Sequence, residues 1–242
     1  MAAATSDQPI KVLITGFGPF QALHPYQTNP SWILASLLSP TLSSSFPNIP
    51  IRLLIPSTPM PAAYHKILVS APQLIAQNDP DIVIHIGLAG DRDYFAVELG
   101  AQKEGYHDVP DIDRRVFTRV ENKKGFGKEV GELRSGVDLE SVVRVWGQRL
   151  KGLDMPAKEQ GKSTGAGEGG NVDVRLSDDV GNFVCGFIYY VSLLEMQKKK
   201  GTRDVVFLHV PMLESKEEIG VGVRVTEELI RAVVEVWWEG RR

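Results

Sequence analysis

The sequence predicts an α/β fold: one domain spanning residues 1–242, built as a three-layer α/β/α sandwich around a mostly parallel, mixed sheet. Three observations carry this. Short apolar runs ending in glycine or proline, such as Lys11 to Thr15 before Gly16 and Asp204 to Val210 before Pro211, read as buried strands. Between them lie longer segments with helical apolar spacing, and that alternation implies parallel βαβ units covered on both faces. The pattern is interrupted once, from Met155 to Asn171, and then resumes, so the interruption falls inside one domain.

Taken in order, Lys11 to Thr15 is the first strand. Asn29-Pro30-Ser31 opens a helix running to about Leu38, with proline in the first turn. Ile51 to Ile55 is a second strand, stopped by Pro56. Pro61 to Asn78 has helical spacing through Ala62, Ile67, Leu68, Leu74 and Ile75. Asp81 to Ile86 is a third strand, followed by Gly87. Tyr94 to Leu99 is β-rich and reads as an antiparallel extension of the sheet. Asp138 to Leu150 is helical. Met155 to Asn171 is polar, Gly-rich and poor in apolar residues, so it reads as a flexible surface excursion. A helix begins around Cys185 and runs to about Lys200. Asp204 to Val210 is the last strand, and Glu214 to Trp238 an amphipathic closing helix.

Composition excludes several classes. A hydrophobic fraction of 43%, a charged fraction of 24% and a net charge of −3 are ordinary for a globular protein and give no sign of nucleic-acid or membrane-surface binding. Lys198-Lys199-Lys200 lies at a helix end, where it complements the dipole. One cysteine allows no intrachain disulfide and fits a reducing compartment; with no signal-like start and no apolar run of membrane length, the expected location is the cytoplasm. Gly16-Phe17-Gly18-Pro19-Phe20-Gln21 follows a strand but lacks the third glycine of a dinucleotide fingerprint. Gly161-Lys162-Ser163 lacks the first glycine and the strand of a P-loop. The histidines and carboxylates have no compact metal-ligand spacing, and no cofactor is implied.

Chemistry centres on Cys185, the lone cysteine. Polar residues Ser177-Asp178-Asp179 precede it and an apolar run follows, which puts it in the first turn of a helix. There the helix dipole favours a thiolate; the competing reading is a buried, inert thiol. Of five histidines, His24 and His107 fall in polar loops and His65 on a helix. His85 and His209 both lie near the ends of buried strands, and pattern alone does not separate them. Phe17 and Phe20 sit in a Gly-Pro turn at the C-terminal edge of the first strand, where α/β sheets bind ligands; they form either an apolar wall or core packing.

Four blocks in order resemble the pyroglutamyl-peptidase I family of cysteine peptidases: Thr15 to Phe20 with Asn29 to Trp32; Val83 to Gly90 leading into Val97-Glu98; Ser177 to Cys185 with Tyr189-Tyr190; and Leu208 to Pro211. The resemblance implies a peptidase acting on peptides with an N-terminal pyroglutamate. It assigns Cys185 as nucleophile, His209 as its base, Glu98 as the residue orienting the imidazole, His85 as structural, and Phe17 and Phe20 as a clamp around the lactam ring. The chain departs from that family at Gly186, at Leu88, and in the length of residues 116–171. Two other classes compete: a non-catalytic binding relative of the same fold, and an enzyme similar to purine nucleoside phosphorylases. The oligomeric state is not indicated.

Overall fold

A computed structural model describes residues 8–20, 29–44, 48–157 and 170–241. The elements are β1 (Ile10–Gly16), α1 (Pro30–Leu37), β2 (Thr41–Leu42), β3 (Ile51–Leu54), α2 (Tyr64–Asn78), β4 (Ile82–Leu88), β5 (Phe95–Glu98) and β6 (Gly100–Gln102). There follow α3 (Arg119–Phe126), β7 (Glu132–Arg134), α4 (Leu139–Arg149), β8 (Val174–Ser177), α5 (Val184–Lys200), β9 (Val205–Val210) and α6 (Lys216–Glu239). Seven strands form one sheet in the order β2-β3-β1-β4-β9-β5-β8, and β6 pairs with β7 apart from it. The centre, β3-β1-β4-β9, is parallel. β5 runs antiparallel to β9, as its β-rich composition predicts, and β8 follows β5 in parallel. The α/β sandwich with a mixed, mostly parallel sheet is therefore present.

Two apolar cores flank the sheet. On one side α1, α4 and α6 pack around Val12, Ile14, Ile84 and Leu208. On the other, α2 and α5 pack against each other over Leu13, Val83, Val205 and Phe207. Strand residues alternate between the two cores, as a period of two requires. α1 starts where expected: Asn29 caps it by accepting from Ser31 N, with Pro30 in the first turn. α2 starts at Tyr64 rather than Pro61, because the chain around Ala63 is extended and Ala63 supplies no cap. The missing cap comes from afar: buried Asp111 accepts from Tyr64 N at 2.9 Å. β2, β6, β7, β8 and α3 have no counterpart in the sequence reading. The strands among them are two to four residues long, too short to show a period.

Residues 158–169, most of the Gly-rich segment, lie outside the described residues, as do Gln21 and His24. The chain leaves and re-enters the fold at neighbouring points, since Met155 N donates to Gly170 O and Val172 N to Leu153 O. Among the described residues no helix is long and apolar enough to cross a membrane.

Candidate active site

Three elements converge on one cleft of about 500 Å³ at the C-terminal ends of β4 and β9. In the antiparallel ladder Glu98 faces Phe207 and Ala96 faces His209. Glu98 and His209 are thus diagonal neighbours on one sheet face, within reach of long side chains. His209 Nδ1 lies 2.7 Å from Glu98 Oε1, and both groups are buried. A carboxylate only accepts, so Nδ1 carries the proton and Nε2 is left as the basic nitrogen.

Gly87 lies beside His209 in the β4–β9 ladder. A Cβ at Gly87 would stand 2.9 Å from Cys185 Sγ and 2.7 Å from Phe207 Cζ. The absent side chain is the notch that holds the sulfur beside the histidine strand. Cys185 enters from α5 as its second residue, and both Cys185 and His209 line the cleft. The first turn of α5 has no acidic residue, and Phe183 at its N-cap makes no side-chain hydrogen bond to it. Its first N–H groups are thus left without a side-chain cap.

The electrostatics depart from the simple expectation of a dipole-activated thiolate. Burial pushes the Cys185 thiol up to about 12, with the Glu98 charge adding to the rise and Arg92 opposing it. Burial thus favours the neutral thiol, although Cys185 keeps part of its surface open to the cleft. For Glu98, burial pushes the carboxyl up. Its hydrogen bond and charge pairing with His209, aided by Ser177 and Arg92, outweigh burial and hold it below the usual carboxylate range. Oε2 itself is buried without a partner at hydrogen-bond distance, so Ser177 favours the charge from nearby rather than through a formed bond.

The two strand histidines now separate. His85 is buried between Thr15 Oγ1, 2.7 Å from its Nδ1, and Ser192 Oγ, 2.8 Å from its Nε2. Burial pushes it down to about 3, so it is a neutral tie between β1 and α5 and has no free nitrogen for chemistry. His209 is the histidine in the cleft.

The two phenylalanines of the Gly-Pro turn part company. Phe20 lines the cleft. Phe17 is 3% exposed, packs in the α2/α5 core and is absent from the cleft lining. Its N–H donates to Ser31 Oγ, which ties the turn to α1. The second aromatic of the cleft is Phe183, with its ring centroid 6.4 Å from that of Phe20 and the planes inclined at 56°. The two rings form a corner, not a parallel slot. Phe183 was legible in principle, as an aromatic two residues before the cysteine.

Gly186, one of the departures, has a local cause. The chain turns at Gly181 with φ +76°, and a Cβ on Gly186 would lie 2.3 Å from the Gly181 carbonyl oxygen. That loop packs flat on the start of α5 only over a glycine. Leu88, the second departure, makes part of the cleft wall apolar.

A second cavity, also of about 500 Å³, lies at the β3 edge between Pro9, Pro40, Pro50 and Pro56. Its lining contains no histidine, cysteine or carboxylate. Among the described residues no three His, Cys, Asp or Glu side chains converge to hold a metal ion.

The profile of a family described as pyroglutamyl peptidase matches residues 10–124, a span that includes Glu98 and ends before Cys185 and His209. Pyroglutamyl-peptidase 1 of Rattus norvegicus is 25% identical over 233 residues, 95% of this chain and 94% of the relative. A pyrrolidone-carboxylate peptidase of Thermosipho melanesiensis is 23% identical over 202 residues, 84% of this chain and 83% of the relative. Among solved structures, pyroglutamyl peptidase I of Bacillus amyloliquefaciens superposes with a TM-score of 0.69 at 18% identity, over 93% of this chain and 96% of that one. Pyrrolidone carboxyl peptidase of Pyrococcus furiosus superposes with a TM-score of 0.67 at 19% identity, over 96% and 99%. At such identities the structural likeness speaks for the fold.

Proposed function

We propose, from the family match over residues 10–124 and the likeness to pyroglutamyl-peptidase 1 over 95% of the chain, that this chain is a cysteine peptidase of the pyroglutamyl peptidase family, hydrolysing the amide bond after an N-terminal pyroglutamyl residue. The observation that carries the reading is that Cys185 from α5 and His209 from β9 line one cleft, with His209 held from behind by buried Glu98 of β5 at 2.7 Å.

The neutral thiol fixes the order of events. Cys185 Sγ adds to the scissile carbonyl carbon while its proton passes to His209 Nε2, so charge develops only with substrate in place. Glu98 stabilises the imidazolium and keeps the ring aligned. N–H groups at the start of α5 receive the developing oxyanion; one such donor is typically worth about 3 to 4 kcal/mol. His209 then protonates the leaving amine and the C–N bond breaks, leaving a thioester on Cys185. Water attacks the thioester carbon with His209 taking its proton. Pyroglutamate leaves, and the proton returns to sulfur.

The substrate class fits the wall. Pyroglutamate carries no α-ammonium, so its ring suits an apolar corner formed by Phe20, Phe183 and Leu88. Phe17 supports that corner from the core rather than touching the ring. A cytoplasmic setting belongs to this reading, because the mechanism needs Cys185 reduced. Turnover of a fluorogenic pyroglutamyl amide, abolished in Cys185→Ser, is the expected result. A folded protein that turns over no pyroglutamyl amide, and is protected from heating by phosphate plus nucleoside, would replace the reading with a phosphorylase.

A further inference from the structure

Arg92 follows β4 in the loop to β5, and its side chain is 14% exposed. Nη1 donates to Glu98 Oε1 at 2.7 Å, the same oxygen that meets His209. Nη2 donates to the Asp179 carbonyl at 2.7 Å. Asp179 lies in the loop whose next turn, at Gly181, packs on Gly186 beside the nucleophile. One planar guanidinium therefore spans the acid strand and the loop that leads into α5. Arg92 also lines the cleft.

We propose that Arg92 is a positioning residue for the reaction: it braces Glu98, and through it His209, while anchoring the Asp179 loop that sets the start of α5 under Cys185. This rests on the reading of Cys185, His209 and Glu98 as the reacting set. The physical reason is twofold. A fully buried carboxylate needs a compensating cation, and a cation on Oε1 limits the orientations of Glu98 to those that also receive His209. A fork with two donors in a fixed plane also sets the distance between two separate chain segments, which a single ammonium does not do.

The charged and titratable groups facing this pair are His209 from β9, Cys185 and Tyr189 from α5, Asp179 from the β8–α5 loop, and Tyr94 from the β4–β5 loop, whose ring centroid is 5.8 Å from the guanidinium. Tyr189 Oη donates to Glu98 O, not to its carboxylate. Arg92 favours ionisation of both Glu98 and Cys185, so its removal moves both toward the protonated form.

The test compares Arg92→Gln and Arg92→Lys with the wild-type chain by three readouts: pyroglutamyl amide kinetics against pH, the pH dependence of Cys185 alkylation by iodoacetamide, and melting temperature. In Arg92→Gln, kcat should fall roughly 10- to 100-fold, the cost of a sub-ångström misplacement or a lost charged hydrogen bond, with KM little changed. The acid limb of the activity profile should move to higher pH, and so should the rise in alkylation rate. Arg92→Lys should return both limbs toward wild type while recovering only part of kcat.

Limbs that stay put in both variants would overturn the proposal and leave Arg92 a structural tie, whatever the loss of kcat. So would equal kcat in Lys and Gln. If Arg92→Gln does not fold, Arg92→Lys decides alone: reduced kcat with the acid limb and the alkylation rise moved partway to higher pH supports the bracing role, and limbs at their wild-type positions or full kcat refute it. Absence of any pyroglutamyl amide turnover by the wild type would instead sink the assigned reaction. The alkylation limb would still test Arg92.

Discussion

Gly87→Ala should cripple the enzyme without unfolding it. The added methyl would lie 2.9 Å from Cys185 Sγ and 2.7 and 2.9 Å from Phe207 Cζ and Cε1. Ordinary contact needs about 3.5 to 4.0 Å, so something must move by roughly 0.6 to 1 Å. Phe207 is fully buried, and its ring stands edge-on to His209 with centroids 4.8 Å apart. It cannot retreat without disturbing His209. The sulfur has the cleft in front of it and is the atom that yields. A displacement of about 1 Å at a reacting atom costs on the order of 100-fold in rate, and overpacking of this kind costs about 1 to 3 kcal/mol of stability. Steady-state kinetics with a fluorogenic pyroglutamyl amide should show the loss in kcat, on a preparation whose melting curve remains cooperative. A variant with wild-type kcat would refute the notch; a loss confined to KM would mean that Gly87 meets the substrate and not the thiol.

Alkylation of Cys185 in the native protein should be slow near neutral pH and accelerate steadily toward alkaline pH, since burial pushes the thiol up to about 12; fast labelling at pH 7 would show a resting thiolate. Phe183→Ala should raise KM with a smaller effect on kcat and lower kcat/KM roughly 10- to 200-fold. Phe17→Ala should instead cost about 3 to 5 kcal/mol of stability with near-normal KM, and the reverse pattern would return Phe17 to the cleft. His85, pushed down to about 3 by burial against an ordinary value of 6.5, stays neutral in the fold while the unfolded chain binds a proton. Its contribution to stability is therefore complete above the unfolded value and is lost as pH falls from about 6.5 toward 3, at up to about 1.4 kcal/mol per pH unit. His85→Asn should flatten that acid slope in urea-unfolding midpoints, and an unchanged slope would place its source elsewhere.

The sequence by itself determined what is local or periodic. Runs of apolar residues closed by glycine or proline located β1, β4 and β9, because a strand buried on both faces leaves that mark whatever surrounds it. β3, where Arg52 is exposed, was located by the apolar residues around Arg52 and the proline after them. Polar residues before an apolar run located the start of α5, and with it Cys185. His85 and His209 are both flanked by strand residues, so no local signal separates them. Only the ladder does, by setting His209 diagonal to Glu98 and burying His85 between Thr15 and Ser192. The same limit hid Arg92, whose two partners are Glu98 and the distant Asp179, and Asp111, which caps a helix 47 residues earlier in the chain. It also applies to the clamp: Phe17 and Phe20 are three residues apart in the sequence, but Phe17 packs in the core, and the aromatic beside Phe20 in the cleft is Phe183, the N-cap residue of α5. Tertiary structure decided the state of the thiol as well. The helix position favours a thiolate, but the burial created when Gly87, Phe207 and α5 close together pushes the thiol up.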